Sequence, residues 1–112
     1  MSTASSETYD IFAGARKAAS VIVLRDLPDR GIEVLMLRRA ERDGDLRSGA
    51  AVFPGGVLDE RDRLAHDYCL GWTDEQASAR LGLPAGGLDY LVAAVRETFE
   101  EVGLLFVDAQ VE

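Results

Sequence analysis

Along the 112 residues of the chain, apolar positions follow a strand-like pattern first and a helical one later. From Ala18, "AASVIVLR" is a β-branched apolar run of the kind a buried strand needs. "DLPDRG" supplies turn chemistry, with Pro28 followed by Asp29 and Gly31, and "IEVLMLRR" repeats the strand pattern, so a hairpin is predicted. "AERDGDLRSG" is polar and glycine-punctuated, which predicts a surface loop. "AAVF" reads as a short third strand that Pro54, Gly55 and Gly56 must end.

Residues 63–87 then form a connecting segment with a helix of its own. Thr73 and Gln76 match a capping box, Asp74 and Glu75 stand in the first turn, and Gly82 lies near the far end. "GLPAGG" breaks the chain before a longer helix, Leu88 to Val102. Its apolar stripe runs through Leu88, Leu91, Val92, Val95, Phe99 and Val102 at spacings of three and four. Gly103 stands where a C-cap glycine belongs, and "LLFV", Leu104 to Val107, is expected to begin a further strand. Residues 1–17 read as a flexible N-terminal segment. Strands followed by a sheet-covering helix make an α/β chain, one domain or part of one. It stops just where more sheet is expected.

Composition narrows the chemistry. With 47% apolar and 29% charged residues the chain has the make-up of a globular domain. A net charge of −8, with Lys17 the single lysine, argues against nucleic acid as a partner. An acidic enzyme can still handle phosphates when divalent cations supply the positive charge. Cys69 alone excludes an internal disulfide and suits a reducing compartment, so a cytoplasmic protein is expected. "MSTASSETYD" lacks the pattern of a signal peptide, and no apolar run approaches the roughly 18 residues of a membrane helix.

Glu97, Glu100 and Glu101 share one helix face, nearly opposite the apolar stripe at about 100° per residue. An ordinary wet face is one reading of that pattern. Two local costs stand against it. Glu97–Glu100 and Glu97–Glu101 are like-charge neighbours, each costing about 0.2–0.5 kcal/mol. They also crowd the negative end of the helix dipole, and no Lys or Arg follows to offset them. A divalent cation would reverse both penalties, and carboxylate oxygens suit Mg²⁺ or Mn²⁺. Arg96 can pair with Glu100, hold a loop carboxylate, or form a plain surface salt bridge. Gly55-Gly56 after a strand permits a sharp turn and close backbone approach. For Asp59, Glu60 and Asp62, which follow, a solvated loop and a loop folded over the acidic helix end both fit.

Together, "FPGGVLDERD" and "RETFEEVGL" resemble the box of the Nudix hydrolase superfamily: G, five residues, E, seven residues, then R-E-U-x-E-E-x-G-U with U apolar. Gly56 matches the first glycine, and Arg96 to Leu104 match the second half at every charged position. Asp62 stands for the first glutamate and Thr98 for an apolar residue. The seven-residue spacer is here 33 residues, Arg63 to Val95. That split box resembles the branch containing the mammalian peroxisomal coenzyme A diphosphatase and its bacterial relatives, over about residues 18–107.

The resemblance implies an α/β/α sandwich around a mixed sheet. Residues 18–112 would be its N-terminal portion, incomplete at the C-terminus, with an insertion at 63–87. It implies hydrolysis of a small-molecule diphosphate, coenzyme A or acyl-CoA among the candidates, with Mg²⁺ or Mn²⁺. Glu97, Glu100 and Glu101 would bind metal, with the Gly55 carbonyl as a further ligand. Arg96 would orient the carboxylates, and one glutamate, of this helix or of missing sequence, would activate water. Arg38, Arg39 and Phe53 are the candidate substrate contacts. His66 reads as a surface residue, and Cys69 and Trp72 as packing for the inserted helix. If the chain ends at Glu112, a homodimer or a second chain is needed to cover the sheet. A non-catalytic metal-binding or interaction module on a degenerate or truncated scaffold is the alternative, and Asp62 gives it weight.

Overall fold

The computed structural model describes residues 14–40, 43–44 and 49–108. Most of the segment before Ala18 and of the "AERDGDLRSG" loop lies outside them. Among the described residues, six short strands form three antiparallel pairs. β1 (Ala18–Ser20) pairs with β6 (Gly55–Val57), β2 (Leu24–Leu27) with β3 (Gly31–Val34), and β4 (Leu37–Arg38) with β5 (Ala51–Val52). The predicted hairpin is β2–β3. Its turn closes by the Arg30 N–H donating to the Leu27 carbonyl at 3.2 Å, and Arg25 and Glu33 pair across it.

Four strand expectations need correction. "AASVIVLR" is not one buried strand, because the chain changes partner within it: β1 belongs to β6 and β2 to β3. Ile22, between the two, is 59% exposed. "IEVLMLRR" divides between β3 and β4 for the same reason. Gly55 and Gly56 do not form a turn after the third strand. They are strand β6, facing Ser20 and Ala19, and Leu104–Val107 continue from the last helix without pairing among the described residues.

Helices follow the sequence more closely. A 3-10 helix, Glu60–Tyr68, was not expected; a capping box starts it, in which the Asp59 carboxylate accepts from the Arg61 N–H and Asp62 accepts from the Asp59 N–H at 2.9 Å. Helix α1, Asp74–Leu81, starts with the predicted box: Thr73 Oγ1 accepts from Gln76 N at 3.1 Å, and Gln76 Oε1 from Thr73 N at 3.0 Å. Gly82 ends it at φ 70°, in the left-handed region that favours glycine. Helix α2, Gly87–Val102, ends at Gly103, whose N–H reaches the Phe99 carbonyl at 2.8 Å.

Helix α2 is the hub of the packing, touching α1, the 3-10 helix, β6 and β1. Apart from Leu88, the buried residues around it are small or polar: Ala77, Ser78, Ala93, Thr98, Asp62 and Pro54. The predicted apolar stripe is only partly covered, and Phe99 within it is 50% exposed. Thr98, at the box position usually apolar, is fully buried; its hydroxyl donates to the Ala94 carbonyl at 2.7 Å, which removes the desolvation cost. No helix among the described residues is long and apolar enough to cross a membrane.

Candidate active site

Arg96 organises the polar side of α2. Its Nε donates to Asp62 Oδ1 at 2.6 Å and its Nη2 to Asp62 Oδ2 at 3.2 Å, a two-point grip across 34 residues of sequence. Nη1 donates to Glu97 Oε1 at 3.1 Å and to Glu100 Oε1 at 3.2 Å, and Nη2 also reaches the Val57 carbonyl at 3.1 Å. One guanidinium therefore joins the loop, strand β6 and two helix glutamates. The bond to Asp62, followed by those to Glu100 and Glu97, pushes the Arg96 pKa well above its usual value. Asp62 is shorter than the glutamate of the Nudix box, yet it reaches. It is fully buried and its oxygens are occupied by Arg96 and the Asp59 N–H.

The glycines bring the strand onto the helix. A Cβ at Gly56 would overlap the Glu97 carboxylate, and one at Gly55 would overlap the backbone of Ala19 and Ser20. Gly55 N donates to Glu101 Oε1 at 2.9 Å. The close approach read from the glycine pair is present, though in a strand and against Glu97. The wet-face reading of the glutamates is thereby corrected for Glu97, whose side chain is only 18% exposed, while that of Glu100 stays 55% exposed.

The donor set is all oxygen and carboxylate-rich, which suits a hard divalent cation. As they stand, these carboxylates face Arg96 and the Gly55 N–H, and no three His, Cys, Asp or Glu side chains among the described residues converge as a ready-made cage. Mg²⁺ asks for less: it usually keeps several waters and takes one or two carboxylates plus substrate oxygens. Glu97, Glu100 and Glu101 fit that demand.

The remaining candidates are placed elsewhere. Arg38 ends β4 and Arg39 follows it, both exposed; the Arg39 N–H donates to the Ala50 carbonyl at 2.9 Å. Phe53 is exposed two residues before Gly55. His66 is not the surface residue expected: Nε2 lies 2.7 Å from Asp89 Oδ1 in a half-buried pair that ties the 3-10 helix to α2. Only the i, i+23 distance separates the two in sequence, and spacing alone carries no signal for it. Cys69 donates weakly to the Ala65 carbonyl at 3.4 Å, and burial pushes its thiol pKa up. The Trp72 ring carries Arg80 of α1 at 5.7 Å, the packing role expected of it.

No protein-family model matches the chain. It is 30% identical to the acyl-coenzyme A diphosphatase NUDT19 of Gallus gallus over 82% of its own length and 32% of that protein's. Identity to the NUDT19 of Homo sapiens is 28% over 82% of this chain and 34% of the human protein. Its fold matches the crystal structure of a Nudix hydrolase from Alicyclobacillus acidocaldarius with a TM-score of 0.57 and 33% identity, over 80% of this chain and 37% of the other. The chain thus spans about a third of the length of these relatives. With loop and helix halves of the box joined through Arg96 and Asp62 on a matching fold, the chain is similar to Nudix hydrolases in both sequence and structure.

Proposed function

We propose that the protein hydrolyses a diphosphate linkage in a small molecule, a nucleoside diphosphate joined to another moiety, with Mg²⁺ or Mn²⁺ held by Glu97, Glu100 and Glu101. The observation that carries this reading is the Arg96 grip on Asp62, which sets the loop and strand β6 against the acidic face of α2. The metal, when bound, would polarise phosphoryl oxygens and lower the pKa of a water. Arg96 holds the glutamates at a fixed separation and offsets their mutual repulsion. Gly56 leaves room for the Glu97 carboxylate, and the Gly55 carbonyl would add a neutral oxygen ligand. One of the glutamates takes the proton from the attacking water. Arg38 and Arg39 meet substrate phosphate, and Phe53 lies against the remainder of the substrate.

Residues 18–112 are assigned to the N-terminal portion of a Nudix domain with an insertion at 63–87. Coenzyme A or an acyl-CoA is the substrate class favoured by what the NUDT19 proteins are named for. The lone thiol supports a cytoplasmic location, and association into a homodimer would cover apolar residues such as Phe99. Full-length protein incubated with coenzyme A, ADP-ribose or NADH and Mn²⁺ should release the two monophosphate products. Absence of cleavage for all three would overturn the reading. It would favour the non-catalytic metal-binding or interaction module instead.

A further inference from the structure

The 25-residue insertion that parts the two halves of the box makes no bond to Glu97, Glu100 or Glu101 among the contacts described above. Its bonds go to the other end of the helix. The N-cap of α2 is Gly86, which has no side chain to accept a helix N–H. Acceptors come from α1 instead. Asp74 Oδ2 accepts from Gly86 N and Oδ1 from Leu88 N, each at 3.0 Å, and Ser78 Oγ accepts from the intervening Gly87 N at 2.8 Å. Gly87 lies so close to α1 that a Cβ there would overlap the Ala77–Ser78 backbone. In the first turn of α2, Asp89 takes His66 at 2.7 Å and Arg63 at 3.6 Å, both from the 3-10 helix. Both elements of the insertion therefore grip the same turn.

From Leu88 to Arg96 is eight residues, about 12 Å of helix. The bonds of Arg96 to Asp62 and Val57 and of Glu101 to the Gly55 N–H all fall in the C-terminal half of α2, and a rod held only there can pivot, whereas one held also at its first turn cannot. Resting on the diphosphatase reading of the same site, we propose that the insertion is a positioning brace. Asp74 and Ser78 set the axial position and rotation of α2, so that Arg96, Glu97 and Glu101 meet Asp62, Gly56 and Gly55. Reacting groups must be held to within about 0.5 Å for catalysis, so small losses at the brace should appear as losses in turnover. The N–H groups of Leu88 and Gly86 also hold the Asp74 carboxyl below its ordinary pKa, as expected of an acceptor kept ionised at a helix start.

The test uses the full-length chain with Asp74→Ala, Ser78→Ala, their double variant, Asp74→Asn, which retains one acceptor oxygen, and Glu75→Ala as a charge-matched control in the same turn. Two signals are read: kcat and KM for Mn²⁺-dependent hydrolysis, and the Arg96 Nε–H resonance, which reports the bond to Asp62. The brace predicts a fall in kcat of about 10–100-fold in the double variant with KM within about twofold. It also predicts a shifted or broadened Arg96 signal, partial recovery in Asp74→Asn and wild-type behaviour in Glu75→Ala. A lowered Tm with unchanged kcat and unchanged Arg96 signal would overturn it, leaving the insertion a stabiliser only. Should the wild type hydrolyse nothing, the diphosphatase reading fails and the Arg96 signal alone decides the brace. If the double variant does not fold, the single variants are read by the same two signals.

Discussion

The two faces of helix α2 make opposite use of their side chains. On the apolar side, Leu88 is buried, but the rest of the stripe through Leu91, Val95, Phe99 and Val102 is only half-covered, and Phe99 is as much outside as inside. On the other side, Ala93 is buried, Glu97 is pressed against Gly56, and Arg96 reaches a fully buried Asp62. The polar face holds a buried hub at Arg96 and Asp62, while Glu100 and Glu101 beside it stay exposed. The lesson concerns how each face is held. Apolar burial is graded, and a half-exposed side chain gives up only part of its transfer energy when removed. A buried polar hub is close to all-or-none, because loss of one partner leaves a desolvated charge behind.

That contrast can be broken at four points. The largest effect should follow from Glu100→Gln or Glu101→Gln, with hydrolysis falling by about 10²–10⁴-fold in a steady-state assay. Full activity in both would return these residues to the status of a solvated face. Next, Asp62→Ala removes the buried two-point partner of Arg96, leaving it only Glu97, Glu100 and the Val57 carbonyl, and should cost about 3 kcal/mol in a denaturant titration, together with loss of activity. Gly56→Ala should move the Glu97 carboxylate rather than the backbone, since the overlap is with the end of a flexible side chain. We expect about a tenfold loss of turnover with stability within about 1 kcal/mol of wild type. Smallest of all, Phe99→Ala in the present chain should cost below about 1.5 kcal/mol, well short of the 3–5 typical of a buried phenylalanine. A full-sized loss there would mean the apolar face is covered after all.

Much of α2 is legible in the sequence because its signals are local. The three-and-four spacing, the Gly103 cap and the charged offsets of "RETFEEVG" all lie within one helix. So is the Thr73–Gln76 box of α1. Strand partners are not legible in the same way. "AASVIVLR" is equally apolar on both sides of the point where the chain leaves β6 for β3, and strands of three or four residues take their register from distant partners. The glycine pair announces a close approach without naming what approaches. That Glu97 is the neighbour depends on a helix forty-one positions later. Polarity also misled: an amphipathic pattern ranks a glutamate as wet, but here its cover comes from a glycine that offers no side chain.

The central claim, that the polar face of α2 is a divalent-metal site, is tested most directly by titrating Mn²⁺ into the full-length protein and following the free-ion electron paramagnetic resonance signal. The account predicts saturable binding in the wild type, lost when Glu97, Glu100 and Glu101 are all replaced by glutamine in a variant of unchanged helical content. Undiminished Mn²⁺ binding by that variant, or none by the wild type, would contradict it.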